Sequence, residues 1–86
     1  MSRQLAWTEA AWSDYLHGQS QDKKTLRRII RLTADTLCSP FEGIGKPEAH
    51  KQNLSGLWSR RIDDVNRLVY AVNDIHVTII ACRYHY

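Results

Sequence analysis

The chain has 86 residues and a mass of 10.0 kDa, room for one small domain over residues 1–86 but not for a cofactor domain beside a substrate domain. A domain of this size buries only about 60–65% of the surface its unfolded chain exposes, so function is expected on the surface or in a shallow groove. The 43% hydrophobic and 24% charged fractions are those of a globular protein, and 12 Lys and Arg against 9 Asp and Glu give a net charge of +3, an excess that fits a polyanionic partner without requiring one.

Gln4 to Thr8 alternates Leu5 and Trp7 and reads as a first strand, with Thr8 placed to cap a helix running to about Gly18. From Gln21 to about Cys38 the helical period is strongest, with Leu26, Ile29, Ile30, Thr33 and Leu37 forming one stripe. Lys23, Lys24, Arg27, Arg28 and Arg31 cover much of the rest, a basic face that serves either as a solvated surface or as a contact for phosphates or an acidic partner. Pro40 stops this helix, and Phe41 to Pro47 is a loop, because two glycines and two prolines within eight residues continue neither regular structure. Strand-like runs follow at Leu57 to Ile62, Arg67 to Asn73 and His76 to Tyr84, joined by connections short enough for antiparallel hairpins.

The expected architecture is α+β in the order β-α-α-β-β-β. Two helices from the N-terminal half would pack on one face of a small antiparallel sheet and leave the other face partly open. Val69, Ala71, Ile79 and Ile80 are expected in the core. Trp58, Arg60, Arg61, Arg67, Tyr70, Arg83, Tyr84 and Tyr86 interleave cations with aromatics, a pattern shared by nucleic-acid surfaces and by ordinary strand packing.

The longest apolar run, Val77 to Cys82, is six residues, against roughly 20 for a membrane span. The first residues lack the apolar core of a signal peptide, so the expected location is the cytoplasm. Cys38 and Cys82 lack paired spacing and read as two buried reduced thiols. There is no glycine-rich phosphate loop, Ser-His-Asp order, His-Glu-x-x-His motif or carboxylate cluster, and no metal or other cofactor is expected. Of His17, His50, His76 and His85, the last stands out, because the final strand-like run leads directly into Cys82-Arg-Tyr-His-Tyr86.

Four blocks then carry a resemblance: Glu42-Gly-Ile-Gly-Lys-Pro-Glu48, Asn53-Leu-Ser-Gly-Leu-Trp-Ser-Arg-Arg-Ile62, Arg67-Leu-Val-Tyr-Ala-Val72 and Ala81-Cys-Arg-Tyr-His-Tyr86. With the Trp-x-Glu pattern at Trp7 and Glu9, the chain resembles the YoeB toxin family of the wider RelE group over essentially its whole length. The resemblance implies a fold like that of small microbial ribonucleases. It also implies a metal-free endonuclease that cleaves mRNA in the A site of the 70S ribosome and so inhibits translation. Its partners would be a cognate YefM-type antitoxin, operator DNA only through the antitoxin complex, and a second copy in a homodimer.

Residue by residue, the resemblance assigns Glu48 as general base, Arg67 as the cation on the scissile phosphate and His85 as general acid. Tyr86 is the terminal aromatic beside it, and Lys51 and Arg61 are basic residues near the substrate. The chain departs from the pattern at Ala49-His50, where relatives commonly read Pro-Leu, and at Asn66, where a histidine often precedes the arginine. These changes bear on substrate preference and loop geometry. The chemistry agrees with the assignment: metal-free RNA cleavage needs a base for the 2′-hydroxyl, an acid for the 5′-oxygen and a cation for the dianionic phosphorane. Two rivals stay open. One is a non-catalytic basic module that binds RNA or antitoxin and acts as a corepressor; the other is a general ribonuclease acting on free RNA.

Overall fold

The computed structural model describes residues 3–49 and 56–83, without the side chains of residues 20 and 21. Its elements are β1 (Gln4–Trp7), α1 (Glu9–Gln21), α2 (Lys23–Cys38), β2 (Glu48–Ala49), β3 (Leu57–Arg61), β4 (Arg67–Val72) and β5 (His76–Ala81). Thr8 turns the chain from sheet into helix: its hydroxyl accepts the Ala11 amide at 3.1 Å and donates to the Ile80 carbonyl at 3.1 Å. One residue thus satisfies an orphan donor of α1 and an unpaired acceptor of β5. Asp22 performs a comparable double task between the helices. Its amide donates to Gly18 O at 3.3 Å, and its carboxylate accepts the Lys24 amide at 2.9 Å.

Helix α2 buries Ile29, Leu32, Thr33 and Thr36 and leaves Ile30 exposed. The buried stripe is therefore rotated from the expected one, with Leu32 and Thr36 inside it. Fully burying an aliphatic side chain such as Leu32 stabilises the fold by about 1.5–3 kcal/mol. Leu68, Tyr70, Val77 and Ile79 from the sheet meet Ala11, Ile29, Leu32, Ile62 and Cys82 in one core.

The α+β class, the element order and both hairpins are as expected, and two differences concern the sheet. Strand order is β1-β5-β4-β3-β2, and β1 runs parallel to β5, so the sheet is mixed rather than wholly antiparallel. The cause is connectivity, since a strand followed by a long crossover can return beside a parallel partner. The second difference is β2, which pairs only Glu48 with Ser59 and Ala49 with Trp58.

Of the expected core residues, Val69 and Ile79 are buried, whereas Ala71 and Ile80 are only partly so. A bulge in β5 explains Ile80: Tyr70 pairs with Ile79 and Val69 with Ala81, leaving Ile80 unpaired. The extra residue reverses which way the following side chains point. Ala81 joins the face of Val69, and Cys82 returns to the helices, where its Sγ donates to Ala11 O at 3.6 Å. Cys82 is buried as expected; Cys38, at the end of α2, is exposed. Among the described residues no helix is long and apolar enough to cross a membrane.

Candidate active site

The segment from Ser39 to Gly45 is shaped by Arg60, whose side chain is fully buried. All five guanidinium N–H groups are used: Nε donates to Tyr70 Oη at 3.2 Å, Nη1 to Asp35 Oδ2 and to Ile44 O at 3.1 Å, and Nη2 to Ser39 O and to Glu42 O at 2.9 Å. Tyr70 Oη in turn donates to Pro40 O at 2.7 Å, Asp35 accepts the Ile44 amide at 3.1 Å, and the Arg61 amide donates to Gly45 O at 2.8 Å. The hydrogen bond from Arg60 is the main reason the Asp35 carboxyl is held below its ordinary value of 3.8, and burial raises the Tyr70 hydroxyl above its own. Gly43 has φ +121°, and a Cβ there would stand 2.1 Å from Asp35 Oδ2. Only glycine fits.

This frame hands the chain to Lys46, held at φ 52°, then through Pro47 to Glu48 on β2. At the other end of the site, Asp63 Oδ1 accepts the amides of Val65 at 2.8 Å and Asn66 at 2.7 Å, and the Asn66 side chain donates back to Asp63. Asn66, the departure from the family pattern, thus closes the turn that starts β4 at Arg67.

Strand pairing converts these positions into a site. Partners on adjacent antiparallel strands share a face, so Glu48, Ser59, Val69 and Ala81 form a row across the sheet, with the Arg61–Arg67 pair two residues along. Arg67 Nη2 donates to Glu48 Oε1 at 2.7 Å, and Arg67 Nε donates to Ser59 Oγ at 3.2 Å. The Glu48 side chain is 68% exposed and that of Arg67 19%. Such an exposed pair contributes about 0–1 kcal/mol and yields readily to a ligand. Lys46, Glu48, Arg61 and Arg67 line a groove of about 230 Å³. Three cations around one carboxylate attract an anion, and the carboxylate is exposed enough to exchange a proton with it.

Among the predicted site residues, Glu48, Arg61 and Arg67 come together in this groove. Lys51, His85 and Tyr86 lie outside the described residues, as does His50. Lys46 and Ser59 were not singled out, although both fall inside the sequence blocks, Lys46 directly before Pro47-Glu48 and Ser59 one strand period before Arg61. Arg60, one of the cations whose interleaving with aromatics fits either a nucleic-acid surface or strand packing, is structural. With its side chain buried and every N–H bonded, it offers nothing to a nucleic acid. Among the described residues, no three His, Cys, Asp or Glu side chains converge as metal ligands.

The fold is that of the small toxins of bacterial toxin–antitoxin systems, as comparison with known proteins shows. Residues 7–86 match the YoeB-like toxins of bacterial type II toxin–antitoxin systems, and the chain belongs to this family. It is 56% identical over 82 residues to toxin YoeB of Escherichia coli K12, covering 95% of this chain and 98% of that one. The YoeB dimer from Staphylococcus aureus is 42% identical with a TM-score of 0.90, each chain covered to 98%. In the heterotetrameric YoeB–YefM toxin–antitoxin complex from the same organism, the matched chain is 42% identical with a TM-score of 0.87, again covering 98% of each.

Proposed function

We propose that this chain is a ribosome-dependent mRNA endonuclease that cleaves through the substrate's own 2′-hydroxyl. The observation that carries the reading is the contact of Glu48 with Arg67 at 2.7 Å in a groove otherwise lined by cations. A phosphate entering the groove displaces Glu48 from Arg67. The freed carboxylate then takes the 2′-hydroxyl proton, and O2′ attacks phosphorus. Arg67, Arg61 and Lys46 offset the charge of the phosphorane, and His85 protonates the departing 5′-oxygen, the role the family resemblance assigns to it. The products are a 2′,3′-cyclic or 3′-phosphate end and a 5′-hydroxyl. Lys51 and Tyr86 complete the substrate contacts, and the ribosome supplies the positioning that so shallow a groove lacks.

The partners follow from the same reading: mRNA on the 70S ribosome, a YefM-type antitoxin, and a second copy of the chain. The YoeB–YefM complex and the YoeB dimer of the S. aureus relative support the last two. So does an exposed apolar groove lined by Leu5, Trp7, Trp12, Tyr15, Ile30 and Leu37, the kind of surface that marks association.

The test is to add purified chain to translating ribosomes and map new mRNA ends, with naked RNA as control. Glu48→Gln and Arg67→Ala should each lower cleavage by about 10²–10⁴-fold while remaining folded. No new ends from the wild type would leave the corepressor module as the reading. Equal cutting of naked RNA would leave the general ribonuclease.

A further inference from the structure

Two contacts of unequal durability hold Arg67. Its Nη2 donates to Glu48, whose side chain is 68% exposed, and its Nε donates to the hydroxyl of Ser59, a residue only 2% exposed. Solvent and salt compete with the first contact and hardly with the second.

On the reading above, the incoming phosphate displaces Glu48 from Nη2 and leaves the carboxylate to accept the substrate's proton. Of these two contacts, the Ser59 bond is then the one that still holds the guanidinium plane. The backbone around Ser59 is well anchored: it pairs with Glu48 on one side and Val69 on the other, Arg60 is fixed by its five bonds, and the Arg61 amide is tied to Gly45 O at 2.8 Å. A buried hydroxyl on a rigid strand is a suitable support for a group that has to point at developing charge.

We infer that Ser59 is a positioning residue for phosphodiester cleavage: by accepting the Nε–H of Arg67, its hydroxyl keeps the guanidinium aimed at the scissile phosphate once Glu48 has let go. This rests on the ribonuclease reading above. Because Ser59 acts through Arg67 and not on the substrate, its loss lowers the rate of the chemical step and leaves binding nearly unchanged.

The experiment measures single-turnover mRNA cleavage on programmed ribosomes across a range of toxin concentrations, which separates the limiting rate from half-saturation. Ser59→Ala should lower the limiting rate about tenfold and leave half-saturation within about twofold. Ser59→Thr, which keeps the hydroxyl, should restore the rate. In an Arg67→Lys background, which keeps the charge but has no Nε–H, Ser59→Ala should cause no further loss, because the two residues act as one unit. A second readout needs no activity: in ¹⁵N spectra of the free protein, the Arg67 Nε–H resonance should shift and exchange faster in Ser59→Ala, while the unfolding temperature stays close to that of the wild type.

Full activity in Ser59→Ala overturns the inference. So does an equal further loss in the Arg67→Lys background, or a slower rate with an unchanged Nε–H resonance. A wild-type chain that cuts nothing overturns the ribonuclease reading instead, and the catalytic meaning of Ser59 falls with it, whatever the resonance shows.

Discussion

Arg60 and Arg61 are neighbours in the chain and opposites in the structure, because successive side chains on a strand point to opposite faces. Arg60 shares its face with Trp58 and Tyr70 and is buried; Arg61 shares its face with Ser59 and Arg67 and is exposed in the groove. Arginine is so seldom fully buried that residue type pointed the wrong way for Arg60. The legible sign was parity, since Arg60 falls in step with two aromatics. Glu48 and Arg67 were legible only through the motif blocks, because their contact depends on β2 pairing with β3 and β3 with β4. The two thiols give a prediction at this scale. Burial, and after it the charge of Asp14, pushes the Cys82 thiol up to about 12, whereas Cys38 is exposed. At pH 8 a thiol reagent should label Cys38 quickly and Cys82 only after denaturation. Peptide mass spectrometry checks this, and rapid native labelling of Cys82 would contradict it.

The elements that were easiest to read are those whose signal is local: α2 with its stripe and the two hairpins with their short turns. Strand β2 is too short to show any period, and neither the parallel pairing of β1 with β5 nor the bulge at Ile80 leaves a local mark. The loop from Phe41 to Pro47 is recognisable as irregular from the glycines and prolines in and beside it. Its fixed shape is not, because that shape comes largely from a residue 15 positions beyond Gly45. Arg60→Met fills a similar volume but strands Asp35 beside four carbonyl and hydroxyl acceptors. Asp35 is one-third exposed, so the main cost is that of leaving the buried acceptors around Arg60 without a donor, and the protein should lose roughly 1–3 kcal/mol. Urea unfolding measures that loss; a change under about 1 kcal/mol would show that the loop holds itself.

At the scale of the whole molecule, the same pair makes stability depend on pH. Asp35 is held below 3.8 mainly by the hydrogen bond from Arg60, and the exposed Asp22 is lowered mainly by the Thr25 hydroxyl and next by the Lys24 amide. Between the lowered folded values and 3.8 the unfolded chain binds more protons, so stability rises with pH across that window. The Asp35 contribution is complete above about pH 5 and is lost as pH falls through 3.8 toward the folded value. Urea titrations from pH 2 to 6, run on the wild type and on Asp35→Asn, should show a shallower acid slope for the variant. Identical slopes would mean that other carboxylates carry the effect.

The clamp on residues 39–45 has an evolutionary consequence. Arg60, Tyr70, Asp35 and the Arg61 amide all address main-chain atoms of that segment, so its conformation is templated largely from outside, with its own share coming from Pro40, the glycines and the packing of Phe41 and Ile44. The segment behaves as a cassette in a fixed holder. Glu42 can be exchanged without disturbing where Glu48 is delivered, and diverging relatives can redecorate the approach to the groove while the chemistry within it stays in place.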